Sequence, residues 1–473
     1  MTNNISSIDA GSADPINTTV SGKPGQNAFQ SFFGRVTYSY DNKYLFESSL
    51  RYDGSSKFPV ENRFGVFPSV SGAWRISQED FMKSTEWISE LKLRASWGKL
   101  GSVSNVGDYD YYNTLTSGTQ IILDGTKQDG VIPGQIYNPL LGWEKVNMTN
   151  IGLDLALWNN KFNLQVDVYN KLTDGILLPN PYIPSEAGLS VIPPINLGEV
   201  TNNGLEIAVS YNNKVGELKY SVGANMSRIW NKVSDLGDVT ETPPDGYYIN
   251  RVGSPVGSFY MWEAEGLFAN ADDVAGHATQ STNTKPGDIK YKDQNGDGKI
   301  NGDDRVIMGS EIPKLTYGFN SSLQYKNLDF AVMLQGVQGT KAYLENEASQ
   351  AFFNGAGVKE YALDRWTTEN PNPNAAYPRM LLSPDNTQNL QRSSFWLFDT
   401  SYLRVKSMSL GYNFPKQVLD KIKLQGLRFY LAGNNLFTIR GDKRMKDFDP
   451  EVASQRASYP QLKTYSFGVN LSF

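Results

Sequence analysis

Apolar and polar side chains alternate with a period of two along much of the chain, which predicts β-strands with two different faces. The pattern is clearest in residues 465–473, where aromatic and aliphatic residues point one way and Ser, Gly and Asn point the other. It recurs along 315–325 and 162–168. We expect thirteen such strands, at 31–41, 43–53, 63–75, 90–101, 147–158, 161–175, 201–212, 217–230, 315–326, 328–340, 402–414, 426–438 and 464–473.

The connections between these strands alternate between short and long. Short turns fall at 41–43, 159–160, 212–214 and 326–327, and short amphipathic helices are expected at 79–89 and 416–421. Two of the long loops exceed 50 residues, which is unusual inside a compact soluble domain but typical of the outer face of a large membrane pore. The long loops are 54–62, 102–146, 176–200, 231–314, 341–401 and 439–463.

A soluble β-sandwich also shows alternation, because one face of each sheet packs on the core. The loop lengths instead favour an all-β transmembrane antiparallel barrel, whose strands need about 9 to 11 residues to cross a bilayer at a tilt. Aromatic residues at strand ends, such as Tyr38, Tyr44 and Trp158, are typical of interfacial girdles, although soluble sheets also contain cross-strand aromatic pairs. Pro68 cannot donate a ladder hydrogen bond, so we expect a β-bulge in its strand.

The odd number of strands has a consequence for closure. Bacterial barrels close with an even number of strands, because an open edge leaves backbone groups unsatisfied in lipid. If Phe473 lies on the periplasmic side, counting back places the start of the first strand outside the cell. We therefore expect residues 1–30 to be an extracellular loop segment and residues 31–473 to be the C-terminal part of a barrel, completed by a separate chain or a longer precursor.

Composition and charge remove several classes of protein. Only 39% of the 473 residues are hydrophobic, and no run approaches the roughly 20 apolar residues of a spanning helix, which excludes a helical membrane protein. The absence of Cys excludes disulfides and thiolate metal sites. A net charge of −5 argues against nucleic-acid binding. Residues 1–15 lack the regions of a signal peptide, so an exported protein would be a fragment or a processed product.

Three stretches resemble a known family. Barrel strands of SusC/RagA-type TonB-linked outer-membrane proteins are similar to FFGRVTYSYDNKYLFESSLRYDGSSKFPVENRFGVFPSVSGAWRISQEDF at 32–81, GDIKYKDQNGDGKINGDDRVIMGSEIPKLTYGF at 287–319 and YLRVKSMSLGYNFP at 402–415. The matches are collinear over most of the chain, which ends in the C-terminal aromatic residue that barrel-assembly machinery reads in such proteins. The chain is thus identified as resembling the C-terminal barrel portion of this family.

The resemblance implies a barrel of about 22 strands, of which this chain would supply about the last thirteen. It also implies an N-terminal plug and a TonB-contacting segment, neither of which lies in this sequence, so the chain cannot be energised alone. The family imports oligosaccharides or peptides under a surface lipoprotein lid of the SusD kind. We expect such a lid to contact chiefly loops 102–146, 231–314 and 341–401, and we expect the barrel wall to contact outer-membrane lipid.

No catalytic site is expected. His277, the only histidine, has no nucleophile motif around it and is interpreted as a solvated loop residue. Polar residues on the lumen-facing side of the strands are expected to line and anchor the plug rather than to bind solute. These residues are Arg35, Glu47, Arg51, Asp154, Asp167, Glu206 and Arg428.

Aromatic stretches in the loops leave two functional classes open. Residues 106–113, 256–263 and 352–361 are rich in rings that stack on sugars or hold peptides, although Tyr and Trp also rigidify loops. A secreted β-rich adhesin or glycan-binding module would use the same loops without a pore, and it would be soluble without detergent. An outer-membrane enzyme, the third class, lacks any candidate site.

A divalent cation is expected in one loop. Residues 293–304 follow the twelve-residue calcium-loop pattern, with oxygen-bearing Asp293, Asn295 and Asp297 at positions 1, 3 and 5 and a Gly at position 6. Lys299 would use its backbone carbonyl, and Asn301 would act through a water. Asp304 replaces the usual Glu at position 12, which favours weaker binding or a smaller ion such as Mg²⁺. The alternative is a metal-free turn held by Asx hydrogen bonds. We expect a structural Ca²⁺ with no chemical role.

Overall fold

A single antiparallel sheet of thirteen strands organises the chain. The computed structural model describes residues 25–134, 136–179, 194–242, 246–344, 346–381, 388–451, 459 and 461–473. Each strand pairs with the next one along the sequence, so that the sheet is an up-and-down meander. The strands are β1 Phe29–Tyr40, β2 Tyr44–Ser55, β3 Phe64–Arg75, β4 Ile88–Ser102, β5 Glu144–Leu157, β6 Phe162–Pro179, β7 Pro194–Val215, β8 Leu218–Asp235, β9 Leu315–Tyr325, β10 Leu328–Gln338, β11 Tyr402–Asn413, β12 Gly426–Arg440 and β13 Thr464–Ser472.

All thirteen predicted strands are therefore confirmed, with differences at their ends. Strand β7 begins seven residues before the predicted start, and β6 and β8 run to Pro179 and Asp235. The reason is visible at Gly175, whose φ is +68°. The register between β6 and β7 shifts between Asp174 and Ile176, so the alternation breaks while the ladder continues to Pro179 opposite Pro194.

Two local predictions are wrong. No bulge accompanies Pro68, because β3 pairs with β2 in unbroken register. The ladder between β3 and β4 begins only at Ser69, opposite Gly98, and so does not include Pro68. The helix expected at 79–89 is absent. A short 3-10 turn at 76–78 precedes this range, and another at 80–82 lies within it. Glu79 is extended between these turns, where its carboxylate accepts hydrogen bonds from the Tyr44 hydroxyl at 2.6 Å and the Trp74 indole at 3.0 Å. The helix expected at 416–421 is confirmed as a helix over Lys416–Ile422.

The long loops contain their own structure. A hairpin of Leu115–Leu123 and Thr126–Pro133 stands between β4 and β5. Between β8 and β13 the described connections hold several small strands, two helices and a series of 3-10 turns. The strands are Tyr248–Ile249, Ser258–Trp262, Ala264–Leu267, Ile289–Tyr291, Arg305–Ser310, Lys341–Tyr343 and Leu397–Asp399, and the helices are α1 Ala271–Ala275 in a loop and α2 Lys416–Ile422 between β11 and β12.

The main hydrophobic core lies in these loops rather than in the sheet. Aromatic side chains from loop 236–314 pack against side chains from loop 339–401, and Met445 joins them from the last loop. Phe259, Tyr291, Trp396 and Phe398 are all at most 2% exposed. A smaller cluster around Phe58, Phe67, Leu141 and Trp143 joins the first two long loops. None of the helices in the described ranges is both long and apolar enough to cross a membrane.

Candidate functional site: the polar face and the long loops

The sheet has one apolar face and one polar face, as the sequence pattern predicts. On β13 the exposed side chains of Tyr465, Phe467 and Leu471 lie on the apolar face. Ser466, Gly468 and Asn470 lie opposite, and Asn470 faces Arg428 of β12 across the register. This arrangement carries through the whole sheet, because the strands pair in nearly unbroken register. A sheet that is apolar on one side and polar on the other suits a wall between lipid and water.

Charged side chains on the polar face form ion pairs across three strands. Arg94 of β4 donates to Asp154 of β5 at 2.8 and 2.9 Å and to Asp167 of β6 at 3.0 and 3.1 Å. Gly152 lies between Arg94 and Asp167 in the same cross-strand row. A Cβ at Gly152 would lie 2.5 Å from Asp167 Oδ1, so the absence of a side chain lets the guanidinium reach across β5.

An ion pair that reaches across a glycine also occurs on strands β10 to β12. Arg428 of β12 donates to both oxygens of Asp329 of β10, and Gly411 of β11 lies between them. A Cβ at Gly411 would lie 2.6 Å from Asp329 Oδ2. Asn413 donates a further hydrogen bond of 2.7 Å to Asp329. These pairs neutralise the charges of the polar face internally.

The seven residues predicted to face the lumen all lie on the polar face by register. Arg35 pairs with Glu47, Arg51 with Asp53, and Glu206 accepts a hydrogen bond from Ser227 at 3.3 Å. Arg94, Lys92 and Asp329 were not among the predicted residues, although all three occupy polar-face positions of predicted strands. Because side chains alternate between the two faces of a strand, their positions in the strand could have identified them.

One arginine holds the last long loop against the polar face. Arg404 of β11 is 2% exposed and donates to Asp449 at 2.9 Å, to Glu451 at 3.0 Å and to Thr438 of β12 at 3.1 Å. The Tyr402 hydroxyl also donates to Glu451, at 2.7 Å. Loop 441–463 is thus fixed to the wall at this point by a buried guanidinium whose charge is balanced by two carboxylates.

A second buried charge joins the two largest loops. Asp288 in loop 236–314 is 1% exposed and accepts hydrogen bonds from Arg379 at 2.6 and 3.2 Å and from Asn389 at 2.8 Å. Both donors belong to loop 339–401. Together with the shared aromatic core, this pair makes the two loops one packed body at the end of the sheet.

The calcium-type loop adopts a compact turn. Asp293 accepts hydrogen bonds from the backbone N–H groups of Gly296 at 2.7 Å and Gly298 at 2.9 Å, and these bonds lower the pKa of its carboxyl below the ordinary value of 3.8. Gly296 and Gly298 have φ of +73° and +80°, which their missing side chains permit. Asp304 is fully buried and accepts from the backbone of Gln294 and Asn301.

The other predicted ligands lie in the same turn. The side chains of Asn295, Asp297 and Asn301 each accept a hydrogen bond from a backbone N–H two residues on, and the backbone N–H of Lys299 is the donor to Asp297. These are the hydrogen bonds of the metal-free alternative, and they also order the loop. Within the described ranges, no group of three or more His, Asp or Glu side chains is close enough to hold a metal ion.

The aromatic loop stretches differ in accessibility. Tyr109 and Tyr112 are 48% and 50% exposed, with ring centroids 6.2 Å apart, and Phe352 is 39% exposed. In stretch 256–263, by contrast, Phe259 is fully buried and Trp262 nearly so, so these two rings stabilise the loop core. His277 also differs from expectation. Its side chain is 12% exposed and packs edge-on against Phe268, because the loop around it is folded rather than solvated.

Comparisons with known proteins agree with this geometry. The family model "TonB dependent receptor-like, beta-barrel" matches residues 2–436. The chain is 32% identical to TonB-dependent receptor P26 of Formosa agariphila, over 98% of this chain and 48% of that protein. It is 28% identical to TonB-dependent receptor SusC of Bacteroides thetaiotaomicron, over 95% of this chain and 44% of that protein. It thus spans less than half the length of these relatives.

The fold comparison gives the same result. The solved structure of the RagAB peptide transporter superposes with a TM-score of 0.77 at 24% identity, over 98% of this chain and 50% of that chain, which shows a shared fold. The resemblance to the SusC/RagA kind is therefore confirmed. Since the family model covers most of its residues, the chain belongs to the TonB dependent receptor-like, beta-barrel family, whose members are outer-membrane proteins of Gram-negative bacteria and not enzymes.

Proposed function

We propose that this chain forms the C-terminal barrel part of a TonB-dependent outer-membrane transporter that imports oligosaccharides or peptides. The observation that carries the proposal is the thirteen-stranded meander with an apolar face and an ion-paired polar face, capped at one end by folded loops. The relatives named as TonB-dependent receptors and the RagAB peptide transporter support it.

The transporter needs partners for this role. In the described ranges β1 and β13 each pair on one side only, so both edges of the sheet carry free backbone groups. Further strands must satisfy these groups in lipid. We propose that N-terminal barrel strands and a plug, on a separate chain or a precursor, close the barrel, and that TonB acts through that N-terminal part. The polar-face ion pairs would then contact the plug.

A SusD-like surface lipoprotein is the proposed lid. The long loops 102–146, 231–314 and 341–401 would be its docking surface. The last two share one hydrophobic core, and loop 102–146 packs in the smaller cluster around Trp143. A specific complex would bury about 1,200 Å² or more of total surface. The exposed rings of Tyr109 and Tyr112 would be available to stack on a sugar or on an aromatic peptide side chain.

Purification and uptake test this proposal. The intact transporter, isolated from outer membranes in mild detergent, should retain a lipoprotein. Cells should take up labelled oligosaccharides or labelled peptides, and deletion of TonB or collapse of the proton gradient should abolish the uptake. Repeated isolation without any lipoprotein, or uptake unaffected by TonB, would contradict the proposal. Whichever labelled class is imported identifies the substrate.

We also propose that the 293–304 loop binds a structural Ca²⁺. The order of oxygen-bearing residues, with Asp293, Asn295, Asp297, the Lys299 carbonyl, Asn301 and Asp304 at the ligand positions, supports this proposal. Binding requires the Asp293, Asp297 and Asp304 oxygens to turn toward one centre. The ion would stiffen the loop and take no part in any reaction.

Calcium content decides between the metal and the metal-free turn. The double variant Asp293→Ala with Asp297→Ala should lower the calcium bound per transporter and make loop 231–314 more sensitive to protease. Asp272→Ala, an exposed carboxylate in α1, is the matched control. If the double variant leaves both calcium content and protease resistance unchanged, the site does not exist. Competition with Mg²⁺ distinguishes the two ions.

A further inference from the structure

The turn between β11 and β12 carries a short amphipathic helix whose apolar side is only partly covered. In α2, Leu419 is buried, whereas Val418 and Ile422 are 38% and 48% exposed. Positions 418 and 422 lie one helical turn apart, so their side chains share a face. The helix thus packs on the protein through one residue and leaves an adjacent apolar strip open.

The chain enters this helix from the apolar face of the sheet. Phe414 contacts the rings of Tyr412 and Phe429 at centroid distances of 5.1 and 5.2 Å, and both of those residues lie on the apolar face by register. The open strip of Val418 and Ile422 thus begins four residues after Phe414, where the chain leaves that apolar face. This proximity along the chain indicates the same occupant for both.

The charges around the helix fit an anionic surface. Residues 416–423 contain three lysines, Lys416, Lys421 and Lys423, and a single acid, Asp420. All four are exposed. A basic helix with an apolar strip is the usual form of a segment that lies in a membrane interface, with its apolar side chains below the phosphate groups and its lysines beside them.

We propose that α2 is a membrane foot that binds anionic phospholipid at the periplasmic surface of the outer membrane. Val418 and Ile422 enter the acyl region, and Lys416, Lys421 and Lys423 contact lipid phosphates. The inference rests on the proposed function, which places this short-turn end of the sheet in the periplasm. A foot at this point would fix the depth of β11 and β12 in the bilayer.

Photo-cross-linking in cells identifies what covers the helix. Benzoylphenylalanine at position 418 or 422 of the intact transporter should form adducts with phospholipid, detected by mass. Benzoylphenylalanine at Gln417, an exposed polar residue of the same helix, should form far fewer. Leu431, 58% exposed on the apolar face of β12, is the positive control. Adducts with a protein at 418 and 422, or no adducts there, would overturn the proposal.

The control separates this proposal from the proposed function. If Leu431 yields lipid adducts while positions 418 and 422 do not, the proposed lipid contact of α2 is wrong and the proposed barrel is unaffected. If Leu431 also yields none, the proposed function itself fails.

Replacing Lys416, Lys421 and Lys423 by Gln should cause a loss of co-purifying anionic phospholipid. The matched control replaces Lys161, Lys214 and Lys219, which line a cavity of about 810 Å³ at the same end of the sheet. Equal lipid retention in both triple variants would contradict the charge contact.

Discussion

Tyrosine rings cover glycines on neighbouring strands at three places in the sheet. Tyr169 lies opposite Gly204, Tyr317 opposite Gly336 and Tyr430 opposite Gly468. At each glycine an added Cβ would lie 2.1 or 2.2 Å from the tyrosine Cζ. The ring fills the space that the glycine leaves, which is a known way to stabilise a glycine in a strand. At these positions the tyrosine ring, and not an unusual backbone conformation, is what requires a glycine.

Substitution at one of them should be costly. Gly204→Ala forces the Tyr169 ring away. We expect the free energy of unfolding to fall by about 1–3 kcal/mol, the usual range for an overpacked site. The temperature at which the intact transporter loses its folded gel mobility measures the effect. Gly34→Ala is the matched control, because nothing lies within 4 Å of an added Cβ there. Equal unfolding temperatures for the two variants would show that the ring contact does not matter.

The carboxylate of Asp293 should give its loop a pH dependence. Backbone N–H groups of Gly298 and Gly296 lower its pKa in the folded state, so the ionised form stabilises the turn. This contribution is complete above the unfolded value of 3.8 and is lost as pH falls through the folded pKa. In calcium-free protein, hydrogen-exchange protection of 293–304 should therefore stay constant down to about the unfolded value and then decrease. In Asp293→Asn this decrease in protection should disappear. If the decrease persists in the variant, another titrating group causes it.

At the scale of elements, the sequence predicts the strands well and the loops poorly. Alternation located all thirteen strands, because one residue of slip would move every side chain to the wrong face. It could not predict the 79–89 segment, where the contacts of Glu79 with Tyr44 and Trp74 are tertiary and override the helical pattern. Nor could it predict that Phe259 and Trp262 are buried, because the loop core forms from segments far apart in sequence.

The same limit applies to the candidate sites. The polar face follows from the alternation within each strand, so Asp154, Asp167 and Arg428 were identified. Their pairing with Arg94 or Asp329 depends on which strands are neighbours, and the alternation does not give it. The buried pair of Arg404 with Asp449 joins a strand to a later loop, and no local pattern marks it. The calcium-type motif remains a prediction from spacing.

The last long loop should detach when Arg404 is removed. Arg404→Ala leaves Asp449 and Glu451 without their buried cation, and breaking such a pair costs about 3–5 kcal/mol. We expect residues 441–451 to lose hydrogen-exchange protection while the strands keep theirs. Lys443→Ala, an exposed residue of the same loop, is the control and should change neither. Protection of 441–451 that survives in Arg404→Ala would show that other contacts hold the loop.

At the scale of the whole molecule, the two faces of the sheet and its two open edges define its role. The apolar face suits lipid and the polar face suits a filled or aqueous interior. Within the described ranges the edges at β1 and β13 each pair on one side only, and under the proposed function further strands would pair with them. A soluble sandwich would bury the apolar face against a second sheet. The described part of the chain instead places its main core in the loops, beyond the end of the sheet.

Spin labels along β13 test this account most directly. The chain has no cysteine, so a single introduced Cys carries a unique nitroxide within it. In intact transporter in outer membranes, labels at Tyr465, Phe467 and Leu471 should collide often with dissolved oxygen, which concentrates in lipid. Labels at Ser466 and Asn470 should collide rarely. A collision rate without this alternation, or labels that all contact only a water-soluble relaxant, would contradict a transmembrane barrel wall.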